Sequence, residues 1–146
     1  MAAGDKVADQ EELVRALFFP LWSASEHRAT SAAFSQLAVS VSRPSITPYE
    51  AIVEIFRADR VGHAALAATC STTVYEVLKA CADNPKAAMG VEVVEDPLVA
   101  SIDEQANPAH ALIHGWKVAV PSIRVALTKG IANSILKSAR IRTVGP

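Results

Sequence analysis

The alternation of apolar and polar positions is clearest between Val91 and Gly115. This stretch reads Val-Glu-Val-Val-Glu-Asp-Pro, an acidic connector, then Asn-Pro-Ala-His-Ala-Leu-Ile-His-Gly. Valine-rich alternation stopped by Asp96-Pro97, and an apolar run held between Pro108 and Gly115, predict two strands of a central sheet. His110 and His114 then share one face of the second strand, because even spacing on an extended chain returns side chains to the same side.

An earlier strand is predicted at Leu37-Ala-Val-Ser-Val-Ser-Arg43, with Leu37, Val39 and Val41 on the buried face and Pro44 closing it. The period changes at Thr47-Pro48-Tyr49-Glu50, where threonine at the N-cap, proline at N1 and glutamate at N3 predict a helix start. Ile52, Val53, Ile55 and Phe56 supply its buried stripe to about Ala58. The apolar run at residues 63–69 is short for a helix and predicts a strand. Cys70-Ser71 then offers a fresh N-cap, and a helix runs from Thr72 to about Ala82 with Val74, Val77, Leu78 and Cys81 inward, until Asp83-Asn84-Pro85 ends it.

At the N-terminus a disordered leader is expected over residues 1–9. A helix is predicted from Gln10 to Pro20, because Leu13, Val14, Leu17 and Phe18 recur at helical spacing behind Glu11 and Glu12. At the other end, Ile123, Leu127, Ile131, Ile135 and Leu136 predict an amphipathic helix to about Ala139, frayed from Arg142 onward. Gly130 costs that helix about 1 kcal/mol relative to alanine. The pattern as a whole predicts a single α+β domain over residues 10–140, with about four strands, helices on one face and a C-terminal amphipathic helix. It leaves strand order and direction open.

Composition changes this picture little. A chain of 146 residues, 51% of them hydrophobic, can bury a real core without disulfides. No apolar run approaches the roughly 18 to 20 residues of a membrane helix, and Asp5, Lys6, Asp9, Glu11 and Glu12 stand where a signal peptide is apolar. A soluble cytoplasmic protein is expected. Cys70 and Cys81 lack any metal-ligand spacing and read as small buried hydrophobes.

Charge adds more. Residues 117–146 carry Lys117, Arg124, Lys129, Lys137, Arg140 and Arg142 and no acid, whereas the preceding residues hold the other 8 basic side chains against all 15 acids, so +6 faces −7. Such a split suits a cationic segment that meets nucleic acid, an acidic protein or a membrane surface, and equally a last helix docked on the acidic body of its own chain. Arg124, Lys129, Lys137 and Arg140 are the candidate partner-binding residues.

The residues from Ser23 to Phe34 have no clean period and predict a loop. Within it His27, Arg28, Thr30 and Ser31 could grip an anion, since a guanidinium fork and hydroxyl donors suit phosphate or carboxylate. The plainer reading pairs the arginine with a nearby acid and uses the hydroxyls to cap a turn. His110 is a candidate acid–base, although no carboxylate at a motif-like spacing orients it. Asp96, Asp103, Glu104 and His110 lack a recognised metal spacing, and neither metal nor cofactor is expected.

Three segments carry a resemblance: Arg28-Ala-Thr-Ser31-Ala-Ala-Phe34, the Val39-Ser-Val41 strand with Thr47-Pro48 behind it, and Val93 through Asp96-Pro97 to Pro108-Ala-His110-Ala111. Over about residues 25 to 115 the chain is similar to a family of small bacterial proteins with Arg-x-Thr/Ser-Ser-x-x-Phe, Leu-Ser-Val and Pro-x-His-Ala segments and no assigned activity. The chain departs from it at Ala38-Val39-Ser40-Val41 and lacks an upstream His-Pro. The resemblance implies a shared fold unit and points to Arg28, Ser31 and His110, without a reaction.

With no glycine-rich phosphate loop, nucleophile elbow or metal cluster in the sequence, the first expectation is a non-catalytic interaction or accessory protein. Its partner would be another protein or a second copy, met through the basic C-terminal helix or through the acidic body. The alternative is a small anion-binding domain or enzyme using Arg28, Ser31 and His110, with His27 beside them. Nucleic-acid binding through residues 117–142 ranks below both, because few aromatics accompany the charge and the body is acidic.

Overall fold

Strand β1 (Glu12–Leu17) is buried along most of its length and stands in the interior of the sheet. The computed structural model describes residues 4–34, 39–58, 65–83, 91–99, 106–114 and 124–144, the backbone alone over 124–129. A helix was expected here, and the chain forms a strand instead. Leu13 and Leu17 are four apart, which satisfies a helical stripe and one face of a strand equally. Residue-by-residue pairing with β5 (Ala68–Thr73), from Glu12↔Thr73 to Leu17↔Ala68, decides for the strand. Leu13, Arg15 and Leu17 then point to one face and Val14 and Ala16 to the other, and both faces are covered.

After β1, Trp22–Ser23 (β2) and Arg28–Ala29 (β3) form a small hairpin. A 3-10 turn follows at Ser31–Phe34, so the stretch expected as a loop is locally structured. Next come β4 (Val39–Ser42), helix α1 (Tyr49–Ala58), β5, helix α2 (Val74–Ala82), β6 (Glu92–Glu95), β7 (His110–His114), helix α3 (Arg124–Ser138) and β8 (Arg140–Thr143). The main sheet is antiparallel in the order β6-β7-β4-β1-β5-β8, six strands rather than four.

Several expected elements are present where the pattern put them: β4 with Val39 and Val41 buried, α1 with Ile52 and Val53 buried, β6, β7 and α3. Leu37, His63 and Ala64 lie outside the described residues. The strand expected at 63–69 is displaced toward the C-terminus and ends at Thr73, which is also the N-cap of α2: its hydroxyl accepts from the Glu76 N–H at 3.2 Å. Two consecutive β-branched threonines extend the strand, and the second caps the helix. The frayed end expected from Arg142 is instead part of β8, paired with β5 from Ala68↔Thr143 to Ser71↔Arg140. Arg-Ile-Arg-Thr is a short, charged strand of the kind that ends sheets.

Residues 4–7, within the leader expected at 1–9, run along the outer side of β6. Gly4 and Val7 donate to the carbonyls of Glu95 and Val93, and Glu95 donates back to Asp5. The chain then crosses to β1, and the carbonyls of Asp9 and Glu11 accept the Tyr75 and Val74 N–H groups at 2.8 and 3.1 Å. Those donors belong to the first turn of α2 and lack partners within the helix.

The main core lies on one face of the sheet, where Leu13, Leu17, Val39, Val41, Cys70 and Ile113 meet Phe34 of the 3-10 turn, Val74 and Val77 of α2, and Ile131 and Ile135 of α3. Helices were expected on one face only. Tyr49, in the first turn of α1, instead reaches the other: its hydroxyl lies 2.7 Å from Thr69 Oγ1, and Thr69 points away from the core-facing Cys70. Burial pushes the thiols of Cys70 and Cys81 up to about 12 and about 11. Both should therefore resist alkylation at pH 8 by at least about a hundredfold relative to the unfolded chain, because the thiolate is the reactive form. Native-state labelling read by intact mass checks this, and rapid modification of either cysteine would contradict its placement.

Candidate functional site

Polar side chains gather at the end of the sheet where β4 and β6 finish and β1 and β7 begin. Arg43 follows β4 and is buried, and three of its N–H groups are engaged. Nε and Nη2 donate to the two carboxylate oxygens of Glu11 at 2.9 and 2.7 Å, and Nη1 donates to Glu95 Oε1 at 2.6 Å. Ser45 Oγ donates to Glu11 Oε1, the oxygen that also accepts from Arg43 Nε, at 2.6 Å. The guanidinium beside Glu11 holds that carboxyl below its ordinary value, and the two carboxylates raise Arg43, chiefly through Glu11. Glu95 is buried, and its Oε2 has no hydrogen-bond partner among the described residues. With its fork taken by two acids, Arg43 serves to tie β4 to the start of β1 and the end of β6, and is not presented to an external anion.

His110 stands beside this cluster. Its Nδ1 lies 2.9 Å from the Asp96 carbonyl and 3.1 Å from Asp96 Oδ2. Two acceptors at one ring nitrogen place the proton on Nδ1, leaving Nε2 as the basic position of the neutral ring. A carboxylate does orient His110, although no motif spacing announced it. Ser42 is directly opposite His110 in the ladder. Arg43 N–H donates to the Ala109 carbonyl, which makes Ser42 and His110 a non-hydrogen-bonded pair, the closer kind. Ser42 is nevertheless fully buried, and its Oγ accepts from Asn107 Nδ2 at 3.1 Å, so its hydroxyl does not meet solvent as a nucleophile must.

The anion-binding candidates are dispersed. Arg28 is exposed on the β2–β3 hairpin and pairs with Glu26 at 2.7 Å. His27 closes the hairpin with φ 52° and packs edge-on to Trp22, ring centroids 5.2 Å apart. Ser31 is half-buried at the start of the 3-10 turn. All three follow the C-terminal end of β1, whereas His110 lies near its N-terminal half, since Ser42 pairs with both Val14 and His110. For the metal reading, Asp96 and His110 meet, Asp103 and Glu104 lie outside the described residues, and no group of three ligating side chains occurs among the described ones.

The basic segment is differently disposed. Over residues 130–138 the apolar face of α3 is spent on the chain's own core through Ile131, Ala132 and Ile135, while Lys137 is exposed; Ile123 and the side chain of Leu127 lie outside the described residues. With Lys79, Glu76 and Asp83, Lys137 lines an open cleft of about 180 Å³ between α2 and α3, whose mixed charges favour no single ligand sign. The side chains of Arg124 and Lys129 lie outside the described residues. All four side chains of β8 are exposed. Arg140 Nη2 is 3.7 Å from Glu12, and the Arg142 guanidinium carbon sits 4.4 Å from the centre of the Tyr49 ring. The pattern marks Arg140 as a candidate and leaves Arg142 to a frayed end, whereas both lie on β8; the Arg-x-Arg alternation was the available signal. No helix among the described residues is long and apolar enough to cross a membrane. Compared with protein-family models, with curated proteins and with solved structures, the chain finds no match.

Proposed function

We propose that this chain is a non-catalytic interaction protein that binds an acidic protein partner through its basic C-terminal segment. The observation that carries the reading is β8, a strand at the edge of the sheet whose four residues are all exposed, with two arginines and no acid. Lys137, in the last turn of α3, adds a further exposed positive charge. Over residues 130–138 the helix contributes charge rather than an apolar docking face, since Ile131, Ala132 and Ile135 are already buried. Dispersal of Arg28, Ser31 and His27 from His110 counts against one anion site using all of them. Engagement of Arg43 by Glu11 and Glu95 counts against the buried guanidinium at the end of the sheet as an anion ligand.

Affinity capture at moderate salt, with proteins and small molecules both identified by mass spectrometry, tests this. The expected result is a stoichiometric protein partner retained by the natural chain and lost, by at least about tenfold, on joint Lys137→Glu and Arg140→Glu substitution with unchanged circular dichroism. A co-purifying small anion without a protein, lost on Arg28→Ala, would replace this reading with a ligand-binding one.

A further inference from the structure

Resting on the reading just given, we infer that β8 receives its partner by strand addition, and that the occupant is an extended segment with acidic side chains at alternate positions. The backbone register says which groups are available. Val144 N–H donates to the Ala67 carbonyl at 2.9 Å, so Thr143 and Ala68 form a non-hydrogen-bonded pair of the β5–β8 ladder. By alternation Arg140 and Arg142 exchange their backbone bonds with β5, and the N–H and C=O groups of Ile141 and Thr143 point out of the sheet. No described strand lies on that side. The edge thus offers two donors and two acceptors to an incoming chain, the arrangement that β-strand addition uses.

Side chains then select the occupant. Arg140 and Arg142 share one face, the face on which Arg142 stacks over Tyr49 and Tyr49 reaches Thr69. Against an added antiparallel strand they occupy non-hydrogen-bonded positions, where opposed Cα atoms are only about 4.5 Å apart. A residue directly opposite feels the guanidinium strongly, and opposite charges in such pairs are favourable while like charges are not.

A second copy of this chain is disfavoured by symmetry. Antiparallel pairing of β8 with its own copy in a continuous sheet requires a two-fold axis perpendicular to the sheet, which preserves faces. In the registers centred on Ile141 or Arg142, which pair most of the strand with its copy, arginine then stands opposite arginine, Arg140 against Arg142 or Arg142 against itself. The same charges that deter self-pairing of an open edge favour a carboxylate-bearing strand.

The test uses the full chain and a capped synthetic peptide of about six residues alternating glutamate and valine, a typical strand length. A second peptide of the same sequence carries N-methyl groups on the valine amides that face β8, and a third has lysine for glutamate. The first peptide is expected to bind, to slow hydrogen exchange at the Ile141 and Thr143 amides selectively, and to weaken as salt rises. N-methylation should cost at least about tenfold in affinity, joint Arg140→Gln and Arg142→Gln substitution a similar factor, and the lysine peptide should not bind. Equal binding of plain and N-methylated peptides would overturn strand addition and leave charge attraction alone. Strand addition also falls if the first peptide fails to bind while a captured partner still depends on Lys137 and Arg140, and in that case the broader reading stands. If neither peptide nor protein partner responds to these residues, both fall.

Discussion

Replacing Arg43 by methionine should lower the stability of the fold by about 3–5 kcal/mol, because it strands a buried carboxylate instead of merely removing a contact. Glu95 is 4% exposed and keeps one engaged oxygen only through Arg43 Nη1. Methionine fills much of the same volume, so the loss isolates charge from packing. For a domain of this size the melting temperature should fall by roughly 10–20 °C. Adding Glu95→Gln to the methionine variant should recover part of the loss, since a neutral amide is far cheaper to bury than an unpaired carboxylate. Urea denaturation followed by circular dichroism measures all three proteins. A methionine variant within about 1 kcal/mol of the natural chain would mean that the cluster is hydrated and that its ion pairs contribute little.

The same cluster carries a pH signature. Arg43 depresses the folded-state value of Glu11 below its ordinary 4.5. A carboxyl with a depressed folded value contributes stability that is fully present above the unfolded value and is lost as pH falls through the folded one. The natural chain should therefore hold this contribution down to about pH 4.5 and lose it below, whereas the Arg43→Met variant should show a shallower acid limb.

The second large effect is expected at Phe34. Truncation to alanine should cost about 3–5 kcal/mol, the usual range for emptying a closed aromatic site. Phe34 is fully buried where the 3-10 turn Ser31–Phe34 meets α3, in the cluster that includes Ile131 and Ile135. The conservative change Ile131→Val in the same cluster should cost only about 1 kcal/mol. A small loss at Phe34, below about 1 kcal/mol by the same denaturation measurement, would return residues 23–34 to the loose functional loop that their composition suggests. Arg28 and His27 would then regain weight as a ligand-binding pair.

The division between what was legible in the chain and what was not follows the range of the interactions. Residues 92–95, 110–114, 39–42, 49–58 and 124–138 announce themselves because their signals are local: breakers beside short alternating runs, a proline at a helix start, a recurring apolar stripe. Glu12–Leu17 does not, since Leu13 and Leu17 fit two periods and only the β5 ladder chooses between them. The grouping of Glu11, Arg43 and Glu95 is invisible for the same reason: the partners lie 32 and 52 residues apart, and no spacing rule links them. His110 could be named from the sequence, but the carboxylate that orients it could not.

By itself the sequence determined the α+β class, the faces of its clearer strands and helices, and the concentration of positive charge after residue 116, because each depends on neighbours within a few positions or on composition. Tertiary structure alone decided that β1 is a strand, that the apolar face of α3 over residues 130–138 is spent internally, and that Arg140 and Arg142 occupy a sheet edge with no described strand beyond it. Those outcomes depend on which distant backbone groups find one another, and a hydrogen-bond ladder closed across fifty residues leaves no periodic trace in either strand.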